Sequence, residues 1–340
     1  MRSKLLSEAH EAPQKIALHL KQQEALYVQL VNQLKQQKIN QWLTVARGSS
    51  DHAASFMAYL CMMKLGIVAT SLPMSIATLH RAKFDASSFL ALAFSQSGQS
   101  PDLSLTMQHL STLGAQTLAF VNDVKSPLAV TADHTIDLLA GPETSVAATK
   151  SFIAQLVAGL SLVTHWSEDQ QLLNGLASLP EALDSALEID WTSACTRFED
   201  CEQMFVVSRG LGMSAALEAA LKLKEICGIQ AEAFSNAEIK HGPMALIGRD
   251  FPVLVFATSG PELQGLLDFA EQMRQRGANV VVAGPEAVSG VDLPIVQTGH
   301  SELDTITAIQ SFYPMVEALA RLRGLDPDRP PHLSKVTQTH

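Results

Sequence analysis

Two segments of this chain, ARGSSDHAASFMAYLCMMKLGIVA from Ala46 and SRGLGMSAALEAALKLKEICGIQA from Ser208, match each other without a gap. Arg47 falls on Arg209, Gly48 on Gly210, Ala53-Ala54 on Ala215-Ala216, and Gly66-Ile67 on Gly228-Ile229. The same offset lays FLALAFSQSG, from Phe89, on FPVLVFATSG, from Phe251. One residue of slack then aligns Leu113-Gly114-Ala115 with Arg276-Gly277-Ala278. A repeat of this length fixes the architecture before any single residue is considered. Each half reads strand, glycine turn, long Ala-rich helix, strand, Ser-Gly turn, helix, strand. Strands are expected over 42–46, 89–94 and 116–121, and again over 204–207, 253–257 and 279–283. Strands alternating with helices of ten or more residues imply an α/β fold, a parallel sheet with helices on both faces.

At 340 residues the chain is long for one compact core, so two domains are expected. Residues 1–40 form an N-terminal segment, helical in its spacing from Pro13 to Lys38. The first domain covers 41–167, a polar linker 168–200, the second domain 201–325, and a proline-rich tail 326–340. Hydrophobic residues make up 47% and charged residues 17%, which excludes a disordered chain. The net charge of -10 and the lack of a dense basic patch argue against a nucleic-acid partner. No apolar run is long enough to span a bilayer, and charge interrupts the opening MRSKLLSEAHEAP, so no membrane partner and no signal peptide are expected. Four cysteines without CxxC spacing fit a reduced cytoplasm. The eleven histidines lack the helical pairing of a zinc site, so no metal and no cofactor are expected.

SFLALAFSQSGQSPD runs from a buried strand straight into Ser95, Gln96, Ser97, Gly98 and Ser100. In an open α/β sheet, ligands sit outside the carboxyl ends of the strands, where helix N-termini converge. Hydroxyl, amide and backbone N–H donors at the start of a helix near Pro101-Asp102 suit a phosphate dianion. A single serine would suffice for an N-cap; four side-chain donors in six residues exceed that need. Gly48-Ser49-Ser50 ends the preceding strand in the same way. The duplicate turn, Thr258-Ser259-Gly260, lacks two of these groups, so one intact cradle per chain is expected.

On the helix 213–227, Glu218, Lys222 and Glu225 lie at i, i+4 and i+7 and share one face. Such a stripe is usually solvated. Here Ala215, Ala216, Ala219, Ala220, Leu223 and Ile226 surround it, so the helix is expected to be buried and its charges to need partners or a purpose. A carboxylate whose pKa is lifted by burial suits proton transfer between adjacent carbons.

ARGSSDHAA, SQSGQSPD, PETSVAATKSF, ALEAALKLKEICGIQAEAFSNAEIKHGPMALI and the terminal HLSKVT closely resemble the sugar isomerase (SIS) family, and within it the isomerase half of glucosamine-6-phosphate synthase. The resemblance runs from about Gln41 to the end of the chain. It implies two tandem SIS domains of flavodoxin-like type and an aldose–ketose 6-phosphate substrate. It implies Glu225 as the proton-transfer base, with Glu218 and Lys222 positioning it. His241, in EIKHGP, is implied as the acid–base group that opens the sugar ring, contributed across a homodimer. Lys335 is implied as the lysine of a tail that closes over the sugar. Phosphate ligands carried over are Ser95, Gln96, Ser97, Ser100 and Ser50, with a backbone contact at Val146. Ser100 replaces the family's Thr, and Ala148 stands where the synthase has Ser.

About forty residues precede the first SIS strand, with no nucleophilic Cys next to Met1, so glutamine is not expected as the nitrogen source. The expected reaction is therefore deamination: glucosamine 6-phosphate and water giving fructose 6-phosphate and ammonia. Alternatives on the same scaffold are a fructosamine-6-phosphate deglycase and a galactosamine-6-phosphate deaminase. A non-catalytic sugar-phosphate sensor needs only the cradle, and would not need Glu225, His241 and Lys335 together.

Overall fold

The computed structural model describes residues 2–335; the last five residues of the expected tail lie outside the described residues. A long helix α1 (Lys4–Lys35) precedes a first half composed of β1 (Gln41–Val45), α2 (Gly48–Leu60), β2 (Val68–Ser71), α3 (Ser75–Thr78), β3 (Phe89–Ser95), α4 (Pro101–Thr112), β4 (Gln116–Val121), α5 (Pro127–Thr131) and β5 (His134–Asp137). Two helices follow, α6 (Lys150–Ser167) and α7 (Gln170–Glu188). The second half runs α8 (Cys195–Phe198), β6 (Gln203–Ser208), α9 (Gly212–Cys227), β7 (Gln230–Ser235), β8 (Pro252–Phe256), α10 (Leu263–Gln275), β9 (Asn279–Pro285), β10 (Leu293–Ile295) and α11 (Ser301–Leu322).

The strands form two five-stranded parallel sheets, ordered β2-β1-β3-β4-β5 and β10-β9-β8-β6-β7. Read from β7, the second order is that of the first, the doubly wound flavodoxin-like arrangement. The duplication seen in the residues is thus a duplication of topology. All six strands the sequence implies are present, within two residues at each end. Four more were not expected: β2, β5, β7 and β10. These are the outer strands of their sheets. An outer strand shows one edge and part of its faces to other surroundings, so VATS, HTID and QAEAFS mix polar and apolar residues and lack the unbroken apolar run of β3.

The N-terminal helix starts nine residues before the Pro13 at which its spacing first reads as helical. Leu5, Ala9, Ala12 and Ile16 are fully buried at helical intervals, and the Asp328 carboxylate accepts from the free N–H groups of Lys4 and Leu5, at 2.8 and 3.0 Å. Burial and capping outweigh the proline within the helix. Most of the polar stretch 168–200 is helix as well, because Leu172, Leu176, Leu179 and Leu183 form a buried stripe along α7. The described residues form two compact units: residues 14–143, 150–177 and 334–335 hold the first sheet, and residues 2–13, 144–149 and 178–333 hold the second. Among the described residues no helix is long and apolar enough to cross a membrane.

Candidate active site

β1 and β3 are neighbours at the point where the order of the first sheet reverses, with Val45 in register with Ala93. The turns that leave their carboxyl ends therefore emerge side by side. Gly48 opens α2 with φ of +54°, and Ser95 closes β3 opposite Val121. Ser95 Oγ accepts from the Gly98 N–H at 2.9 Å, and Ser97 Oγ from the Gln99 N–H at 3.2 Å. Ser50 Oγ accepts from Gln155 Nε2 at 3.0 Å. A hydroxyl whose oxygen is engaged in this way still has its own O–H to donate. Three such donors suit a ligand made only of acceptor oxygens. Ser100 holds the N-cap position of α4 in extended backbone, yet its side chain makes no capping hydrogen bond. The capping role that the sequence left open is not what Ser100 performs.

Sequence reasoning missed an ion pair between these turns. Arg47, the last residue before Gly48, sends Nε and Nη2 to Oδ2 of Asp102 at 3.3 and 3.2 Å. Asp102 lies in the first turn of α4 and is almost wholly buried, whereas the Arg47 side chain is 59% exposed. The signal was available: arginine holds the same place in both halves, and Asp102 closes the SPD triplet.

In the other compact unit, α9 carries the charged stripe. Lys222 Nζ lies 3.3 Å from Glu218 Oε1 and 2.6 Å from Glu225 Oε2. Glu218 and Lys222 are inaccessible, and the Glu225 side chain is 19% exposed. Burial alone would discharge Lys222, but the two carboxylates outweigh it and hold the ammonium well above the usual lysine range. The solvated stripe is excluded. Full burial, which the sequence assigned to the reacting carboxylate, falls instead on Glu218. Glu225 sits in the last turn of α9, where the helix surfaces into a cavity of about 460 Å³ lined by Leu221, Gly228, Leu325, Pro330 and Leu333. Only this carboxylate of the stripe reaches open space.

His241 ends a short 3₁₀ turn, Glu238–His241, before Gly242, whose φ of +151° favours glycine. It is exposed on its own chain and makes none of the stripe's contacts. Lys335 is not a frayed end: its Nζ lies 3.3 Å from Oε2 of Glu143, a fully buried carboxylate. Glu143 also accepts from the Ser151 backbone at 3.1 Å and from the Ser151 hydroxyl. The sequence singled out Lys335 and overlooked its anchor. Val146 belongs to the segment 144–149, where Glu8 accepts from the Thr144 and Ser145 N–H groups. Of the expected set, the structure brings Ser50 and the Ser95–Ser100 turn together at the carboxyl end of one sheet, and Glu218, Lys222 and Glu225 on one helix.

The duplicate cradle differs by more than lost hydroxyls. Glu262 stands at the N-cap of α10, where Ser100 stands in the first half. Its carboxylate lies over Gly210, and a side chain at either Gly210 or Gly260 would meet it. That space is filled by an anionic group of the chain itself.

Comparison with known proteins gives a match to the SIS domain over residues 33–165 and 197–284. Glutamine–fructose-6-phosphate aminotransferase (isomerizing) of Methanothermobacter thermautotrophicus is 33% identical over 351 residues, covering 97% of this chain and 56% of that protein. The chain spans about half the length of the curated relatives it matches. Among solved structures, a candidate phosphosugar isomerase from Silicibacter pomeroyi DSS-3 superposes with a TM-score of 0.91 at 38% identity, covering 96% of this chain and 100% of that one. Glucosamine-6-phosphate deaminase from Thermotoga maritima superposes with a TM-score of 0.77 at 23% identity, covering 99% and 100% of the two chains, a likeness of fold.

Proposed function

This chain belongs to the SIS domain family, and on that premise we propose that it is an aldose–ketose isomerase of amino-sugar phosphates that works as a glucosamine-6-phosphate deaminase. The observation that carries the reading is the α9 stripe, in which a carboxylate at the helix end is held by a buried ammonium at 2.6 Å and opens into a cavity. A binding module has no need of such a group. The relatives at or above 30% identity, an isomerizing aminotransferase and a candidate phosphosugar isomerase, favour the same chemistry.

Phosphate would be taken by the Ser95, Gln96, Ser97 and Ser100 turn with Ser50. His241 would protonate the ring oxygen and open the sugar. Its exposure on its own chain is what a side chain serving the partner of a homodimer requires. Glu225 would then remove the C2 proton and return it to C1, converting the 2-amino aldose through an enolamine to a ketimine. Lys222 fixes the Glu225 carboxylate, and the buried Glu218 fixes Lys222. Water adds to the ketimine carbon, the C2–N bond breaks, and ammonia leaves with fructose 6-phosphate as the other product. Dilute ammonia draws the reaction in this direction. Lys335, paired with Glu143, would serve as a positive charge beside the substrate.

The test is incubation with glucosamine 6-phosphate alone, following ammonia and fructose 6-phosphate. Equal release of both, falling about 10²–10⁴-fold in Glu225→Gln, is expected. Release from galactosamine 6-phosphate or a fructosamine 6-phosphate instead would reassign the substrate. Undiminished turnover in the variant would remove Glu225 from the mechanism.

A further inference from the structure

Resting on the phosphate assignment to the Ser95–Ser100 turn, we propose that Arg47 is a phosphate-binding residue that selects a doubly charged substrate, with Asp102 as the carboxylate that aims it. Three observations converge. Arg47 is the N-cap residue of α2, and Asp102 lies in the first turn of α4, so their ion pair spans the two helix starts on which the phosphate would rest. Both of its contacts go to the single oxygen Oδ2, through Nε and one hydrogen of Nη2. A guanidinium has five N–H groups in a fixed plane, so three remain, on a side chain that is 59% exposed.

The electrostatics make the pair necessary. A buried carboxylate in the first turn of α4 repels an anion brought to that same helix start. Arg47 cancels that charge and adds donors of its own. The second half supplies the contrast: Arg209 repeats Arg47, but Gln264 stands at the place of Asp102 and Glu262 at that of Ser100. The arginine–aspartate pair thus occurs in the half that has the serine turn and is absent from the half whose turn is filled by a carboxylate.

A purely structural strut and a phosphate ligand predict different signs. Inorganic phosphate is titrated calorimetrically into the full-length wild type, Arg47→Gln, Arg47→Lys, Asp102→Asn and Ser97→Ala, with folding of each checked by its thermal transition. Arg47→Gln should weaken phosphate binding by about 10- to 100-fold, the loss of a charge-assisted donor. Arg47→Lys should stay within a few-fold of wild type, which also guards against a misfolded glutamine variant. Asp102→Asn should bind phosphate more tightly, because the opposing charge is gone while the amide oxygen still accepts from Arg47 and keeps its aim. Loss of affinity in both Arg47→Gln and Asp102→Asn would make the pair a strut and overturn the inference. Unchanged affinity in Arg47→Gln, with binding lost in Ser97→Ala, would overturn it while leaving the phosphate turn intact. A wild type that binds no phosphate would overturn both.

Discussion

Replacing Lys222 by methionine isolates the energetics of the stripe from its chemistry. Methionine keeps the length and the apolar stem, so packing along α9 is retained and the ammonium alone is removed. What remains is a fully buried Glu218 and, beyond the lost Nζ, Glu225 at the helix end. With no cation between them, the buried carboxylate folds most cheaply as the neutral acid. Protonating a group of ordinary pKa about 4.3 at pH 7 costs ~1.4 kcal/mol for each of about 2.7 pH units, or ~3.7 kcal/mol. That agrees with the roughly 3–5 kcal/mol found on removing one member of a buried ion pair. The sign with pH follows. The variant's folded state binds a proton that its unfolded state lacks, so its deficit shrinks as pH falls toward the unfolded carboxylate pKa. Urea unfolding at pH 7 and pH 5 should show Lys222→Met less stable than wild type by ~4 and ~1 kcal/mol respectively, with equal m-values. Adding Glu218→Gln should recover most of the loss at pH 7. A deficit below ~1 kcal/mol at pH 7, or one that is the same at both pH values, would refute the buried pair as an energetic unit.

Three further outcomes are expected. Burial holds the His19 imidazole down at about 4, against the opposing pull of its bonds to the Asp137 and Leu138 carbonyls. Because the folded pKa lies below the unfolded value, stability is full above about pH 6.5 and falls by up to ~3 kcal/mol on acidification toward pH 4. His19→Gln should flatten that slope in urea titrations, and parallel slopes would count against it. Gly98 has φ of +63° and no room for a methyl group beside Ser126, so Gly98→Ala should cost about 2 kcal/mol or more, and an unchanged melting temperature would contradict the strain. Glu143→Gln should free Lys335 and speed tryptic cleavage after that residue, whereas equal cleavage rates would dissolve the anchor.

The residues disclosed the topology because the signals for inner strands are strong and local. FLALAF and VLVF are apolar without a break since both faces are covered, and each is followed by a glycine turn. VATS and LPI carry no comparable signal, because an outer strand is defined by its neighbour and not by its own composition. The stripe on α9 was readable because three charges at helical spacing stood among alanines. Which of them would be fully buried was not, since depth along a helix depends on what packs against each turn. Gln155 and Glu143 escaped for a related reason. Each matters through a contact made far along the chain, Gln155 to Ser50 and Lys335 to Glu143, and spacing within a motif does not encode such pairs.

The two halves carry different chemistry on the same topology. At the positions of Glu218, Lys222 and Glu225, the helix of the first half carries Phe56, Leu60 and Met63. Phe56 and Leu60 are buried and Met63 is exposed, the same gradient from core to surface that the charged stripe follows. The architecture therefore offers an identical ladder in both halves, and only its chemistry differs. The turns differ in the opposite sense: small donors with a neutralised aspartate in the first half, and a carboxylate over Gly210 in the second. Within either sheet, a stripe of carboxylates and a bound dianion would compete for the same few positive charges. On the proposed assignment, separating them would leave Arg47 and the serine hydroxyls for an anion, while Lys222 is committed to Glu218 and Glu225. Glu262→Ser would remove one obstacle to an anion in the second half. It leaves Gln264, which donates to Asp268 on its own helix, in place of Asp102, so Arg209 would lack the acceptor that aims Arg47.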